Sequence, residues 1–141
     1  MRIWICKKFW NSEFVKKYPK RLFIFGDNEA GWGTLGQACI RPDSNSIGIP
    51  TQKRPARGDD AHWNDSEYER NCNVIDSALI RIIKCLRSRN QDGERLYEGI
   101  VLPGDGLGTG LAGLPWRAPK TFKYLKHAIR VMNRKIFLIK Q

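Results

Sequence analysis

The sequence predicts a single three-layer α/β domain spanning residues 1–141, with a mixed, mostly parallel sheet flanked by helices. Three observations predict it. The apolar runs Leu22-Phe23-Ile24-Phe25 and Gly99-Ile100-Val101-Leu102 are continuous rather than alternating, the pattern of strands covered on both faces. The segment between them carries apolar residues at spacings of three and four, the mark of an amphipathic helix. Each run is followed directly by a glycine-rich loop, as where a strand hands over to a helix in α/β units.

Taken in order, Ile3-Trp4-Ile5 reads as a first strand, and Asn11 or Ser12 caps a short helix stopped by Pro19. Arg21 to Phe25 is the second strand. Gly36 to Ile40 reads as one helical turn before Pro42, and Ser46 to Pro50 as a short strand. A polar loop follows, Thr51 to Asp60. Asn64 or Asp65 then caps the strongest helix, with Tyr68, Cys72, Ile75, Leu79, Ile82, Ile83 and Leu86 on one face and basic residues at its end. After the Gly99–Leu102 strand and its loop, Pro119 opens a last amphipathic helix bearing Phe122, Leu125, Ala128, Ile129 and Met132. Ile136-Phe137-Leu138-Ile139 is predicted to close the chain as a strand.

A chain of 141 residues, 41% hydrophobic and 28% charged, fits one domain with one sizeable core. No run has the apolar length of a membrane span. The first residues lack the apolar stretch of a signal peptide, so a cytoplasmic location is expected. Cys6, Cys39, Cys72 and Cys85 include no C-x-x-C pair and only two histidines occur, so neither a metal nor a cofactor is predicted and the thiols read as reduced. The net charge of +11 favours polyanions of any kind. The cations form no block of like charge, and a nucleic-acid partner would rest on charge alone, against a simple solvated surface.

The chemistry sits in the two glycine clusters. One runs from Gly104 through Gly113, and the other holds Gly26, Gly31, Gly33 and Gly36. Glycine lets backbone N–H groups approach a ligand closely, and successive N–H groups make an anion site that suits phosphate. Two such loops after two strands suggest two walls of one nucleotide pocket, although tight turns alone would also use glycine. Asp27 and Asp105 directly follow the strands, at the edge where α/β domains bind ligands. Either could hold a ribose hydroxyl or act as a general base, or make an Asx turn instead. Arg41, Lys53 and Arg54 are phosphate candidates, and Trp32 a stacking surface or lid. No loop ends in Gly-Lys-Ser/Thr, which excludes a P-loop NTPase. His62 and His127 suggest no chemistry.

Gly108-Thr109-Gly110-Leu111-Ala112-Gly113-Leu114-Pro115-Trp116 resembles the phosphate-binding loop of macro domains, which bind ADP-ribose and relatives and in some cases hydrolyse ADP-ribosyl bonds. Asn28, Gly31, Gly33, Gly36 and Ala38 resemble that family's earlier loop. The chain is also similar to small bacterial and phage proteins carrying FGDN, GQA, GIPT and GDGLGTGL-like motifs. The likeness covers roughly residues 20–50 and 98–118; Gly26-Asp27-Asn28 replaces the macro family's Asn-rich motif, and Leu35 stands where glycine is common. It implies that Gly106, Gly108, Thr109, Gly110 and Leu111 wrap a diphosphate, that Asn28 meets the distal ribose, and that Gly33, Gly36 and Gln37 form the opposing wall.

The resulting expectation is a module that binds a linear or cyclic ADP-ribose-type nucleotide, for instance to sequester a nucleotide signal. The alternatives are an ADP-ribosyl hydrolase using Asp27, Asn28 or Asp105, and a basic nucleic-acid-binding module with a steep salt dependence. No convincing nucleophile–base pair is present, which favours binding.

Overall fold

A computed structural model describes all residues from Met1 to Gln141. Four strands, β1 (Arg2–Cys6), β2 (Arg21–Asp27), β3 (Ser46–Pro50) and β4 (Gly99–Pro103), form one sheet in the order β1-β4-β2-β3. Every pairing within it is parallel, so the expected mixed sheet is corrected to an all-parallel one. Helices α1 (Ser12–Lys16), α2 (Tyr68–Arg87), α3 (Leu114–Arg117) and α4 (Pro119–Leu138) complete the chain, with a 3₁₀ turn at Gly36–Ile40.

Continuous apolar strands arise because both faces are covered. Leu22, Ile24, Ile49, Ile100 and Leu102 pack under α2 and α4 with Ile75, Ile82, Leu125, Met132 and Ile136. Phe23, Phe25 and Val101 point the other way, onto Trp10, Val15, Ala38 and Ile40 from the α1 segment and the 3₁₀ turn. These are the three layers of the domain.

Two expectations about helix ends change. The predicted closing strand at Ile136–Ile139 is the last turn of α4 and its cap. Four apolar residues in a row fit a short buried strand or a helix end equally well. Packing decides between them: Ile136 continues the buried stripe of Ala128 and Met132 at helical spacing, while Phe137 and Leu138 stay exposed. Asn64 caps the 3₁₀ turn Asp65–Glu67 that leads into α2, accepting from the Ser66 amide at 2.9 Å. Asp65 instead caps α4 from across the domain. Its carboxylate accepts from the amides of Lys120 and Thr121 and from the Thr121 hydroxyl, each at 2.9 Å. Burial would raise the Asp65 carboxyl; these donors outweigh it and hold the group below the ordinary aspartate range.

Candidate functional site

The loop after β2 leads to the 3₁₀ turn on the α1 face, and the loop after β4 leads to α3 and α4 on the opposite face. Adjacent parallel strands whose connections leave to opposite faces make a topological switch point, where α/β sheets hold ligands outside the carboxyl ends. Here β2 and β4 pair only from Arg21↔Gly99 to Phe23↔Val101. Beyond that the strands part, and the two glycine loops begin.

One side chain spans the gap. Gln37 Oε1 accepts from the Gly26 amide at 2.9 Å, and its Nε2 donates to the Gly106 carbonyl at 2.8 Å. The carboxamide thereby replaces the ladder bonds that β2 and β4 no longer make. Gly26 leaves room for it: a Cβ there would stand 3.2 Å from Gln37 Oε1.

Both loops present unused donors. The amides from Leu107 to Ala112 donate to no acceptor within the chain, and neither do those from Trp32 to Gln37. In the second loop Gly106 and Gly108 hold φ of +86° and +76° on either side of Leu107. Such alternation turns successive N–H groups toward one side, the geometry of an anion nest. The segment is closed by Leu114 N–H donating to the Gly108 carbonyl at 2.9 Å and by Thr109 Oγ1 donating to the Asp105 carbonyl at 2.8 Å. The Thr109 hydroxyl therefore braces the loop, while Thr109, Gly110 and Leu111 are exposed at its crest.

The first loop is clamped by Arg41. Its guanidinium donates to both Asp27 carboxylate oxygens at 2.5 and 3.1 Å, to the Gly33 carbonyl at 2.9 Å, and to the Trp32 carbonyl at 3.3 Å. Asp27 and Arg41 thus neutralise each other, and neither is a free base or a free phosphate ligand in this arrangement. Asn28 is buried, with its carboxamide donating to the Trp32 carbonyl at 2.8 Å and accepting from the Gly31 amide at 2.9 Å. It shapes the loop from within rather than facing outward. The Trp32 backbone is consequently pinned while the residue stays 60% exposed, a flat apolar surface beside the free amides.

Two further cations near the edge are paired. Lys53 donates to Glu67 at 2.8 Å and Arg54 to Asp60 at 2.5 Å, and each cation holds its partner carboxyl below the ordinary range. Arg57 in the same segment makes no ion pair or hydrogen bond, and Asp105 is exposed with its carboxylate unengaged. Beside Gln37 lies a cavity of about 20 Å³ lined by Cys6, Lys8, Phe9, Trp10, Pro103, Gly104 and Asp105, room for roughly one water.

Gln37 joins the two loops, and the segment after β3, from which the sequence offered only Lys53 and Arg54 as phosphate candidates, also lies against them. The stretch after β3 threads the site: Glu29 N–H donates to the Gln52 carbonyl, Ala30 N–H to the Lys53 carbonyl, and a Cβ on Gly33 would lie 3.4 Å from Pro55. His62, set aside as a lone histidine, is buried with Nδ1 2.7 Å from the Gly58 carbonyl and Nε2 3.1 Å from the Leu111 carbonyl. It ties this segment to the second glycine loop. Glu29 accepts from Trp63 Nε1 at 2.9 Å and from Arg70 at 2.5 Å, anchoring the first loop to α2. Apart from Gly58, four residues from His62, these partners lie tens of residues away, and no local pattern announces them.

A family model described as a family of unknown function (DUF7831) matches residues 5–128, and the chain belongs to that family. No curated protein and no solved structure shows significant similarity to it. No helix is long and apolar enough to cross a membrane.

Proposed function

We propose that this member of the DUF7831 family is a macro-like domain that binds an ADP-ribose-type nucleotide, linear or cyclic, across its two glycine loops. The observation that carries this reading is the pair of unused amide runs, Trp32–Gln37 and Leu107–Ala112, held side by side by Gln37 at the switch point. A diphosphate accepts from many donors at once, and backbone amides provide them without a charged side chain. The exposed Trp32 ring offers a stacking surface for a base.

The arrangement favours binding over turnover. Hydrolysis needs a carboxylate free to position water, and Asp27 is engaged by Arg41 through two bonds. Asp105 is the remaining carboxylate for a hydrolase.

Titration calorimetry with ADP-ribose, cyclic ADP-ribose isomers, NAD and ATP tests the proposal. An ADP-ribose-type ligand is expected to bind more tightly than ATP and to be recovered intact. Absence of heat with all four contradicts the ligand class. Consumption of the ligand, abolished by Asp105→Ala, would replace binding with hydrolysis.

A further inference from the structure

From Gly106 to Gln141 the chain contains no aspartate or glutamate. Helix α4 lies within that stretch and exposes Lys120, Lys123, Lys126, Arg130, Arg134 and Lys135 on its solvent side. None of the six forms an ion pair, whereas Arg41, Lys53, Arg54, Arg70 and Arg117 near the glycine loops all do. Helix α2 runs parallel beside α4, as the Asn71–Thr121 and Asp76–Tyr124 hydrogen bonds fix. Its own second half exposes Arg81, Lys84 and Arg87. The outer helical layer is therefore a cationic face separate from the nucleotide site.

We propose that this face docks duplex DNA through its phosphates, without reading sequence. Lys123, Lys126, Arg130 and Arg134 advance about 16 Å along the helix, the axial length of about five phosphate steps on one DNA strand. Charge complementarity is dense here, and other anionic partners need features the face lacks. Stable insertion into a bilayer surface takes an apolar face beside the charge; the stripe of α4, Leu125, Ala128, Met132 and Ile136, is buried in the core. A single strand requires a row of aromatic rings for base stacking, and an acidic protein an apolar centre to the interface. The exposed apolar side chains of α4, Phe137 and Leu138, sit at its last turn, where they border Arg134 at the end of the cationic row and leave Lys123, Lys126 and Arg130 without an apolar centre. An RNA duplex offers phosphates as well, in A-form geometry, and the experiment below includes it as the competing ligand.

Fluorescence anisotropy with a labelled duplex of roughly 24 base pairs, over a salt series, tests this docking. Four to five neutralised phosphates predict a log–log salt slope of about −4. The triple variant Lys123→Glu, Lys126→Glu, Arg130→Glu is expected to reduce the slope by about three and the affinity at least tenfold. The variant Lys16→Glu, Lys17→Glu, Lys20→Glu makes the same charge change on exposed residues of the opposite face and is expected to leave the slope within about one. Glutamine at the same three α4 positions repeats the test should the glutamate variant lose its fold. Equal losses from both faces, absence of duplex binding at low salt, or tighter binding to single strands, RNA duplex or anionic vesicles would each overturn the proposal. ADP-ribose titration of the same variants is expected to match the unmodified protein.

Discussion

Gln37 donates to the Gly106 carbonyl across the gap between β2 and β4 at 2.8 Å, while accepting from Gly26 on the other side. One carboxamide therefore sets the spacing of the two glycine loops. Replacing it with alanine leaves the Gly26 amide and the Gly106 carbonyl without their partner at a half-buried position. Gln37→Ala is expected to cost roughly 1–2 kcal/mol, measured by urea unfolding, with faster hydrogen exchange at Gly26. Gln37→Glu loses the donor as well and places a carboxylate oxygen against a carbonyl, so it should weaken nucleotide binding more than alanine does.

Arg41 and Asp27 form a bidentate pair with side chains only 21% and 14% exposed. Removing the guanidinium strands a largely buried carboxylate and frees the Gly33 carbonyl, while the Trp32 carbonyl keeps its bond from Asn28. Arg41→Ala should cost about 3 kcal/mol. Arg41→Lys cannot reproduce the forked contact and should recover less than half of that stability. A melting temperature unchanged in either variant would show that the clamp does not hold the loop.

The glycines of the second loop separate into two kinds. At Gly110 a Cβ meets nothing within 4 Å and φ lies outside the left-handed region. Gly110→Glu should therefore fold with a stability change within about 0.5 kcal/mol, yet lose at least tenfold in nucleotide affinity through its charge. At Gly108, φ is +76° and a Cβ would stand 3.0 Å from the Leu114 side chain and 3.3 Å from Thr51. Gly108→Ala should destabilise by about 2 kcal/mol or more. Paired thermal melts and titrations distinguish the two.

Asp65 gives the fold an acid-sensitive joint. Its carboxyl is held below the ordinary aspartate range in the folded chain by donors at the start of α4. A lowered folded-state value means the stabilisation is present above the unfolded value, near 3.8, and is lost as pH falls through the folded one. Asp65→Asn should cost about 1 kcal/mol at neutral pH. The difference from the unmodified protein should shrink as pH drops below about 4, read from denaturant melts across that range.

Much of this fold was legible because the signals were local. Continuous apolar runs at Leu22–Phe25 and Gly99–Leu102 and the three-four spacing from Tyr68 to Leu86 require no knowledge of distant partners. The end of α4 was misread because Ile136–Ile139 carries no polar residue to reveal a period, and only packing against the core separates helix from strand. The two loops were legible through their glycines. The roles of Asn28, Gln37, Arg41 and His62 were not, since each is defined by hydrogen bonds to residues whose positions the turns alone determine.

The most direct test of the nucleotide site is amide chemical-shift mapping of ¹⁵N-labelled protein during titration with ADP-ribose. The account predicts the largest shifts at the amides of Trp32–Gln37 and Leu107–Ala112, with little change along α4. Shifts confined to α4, or none at the two loops when ligand is bound, would contradict it.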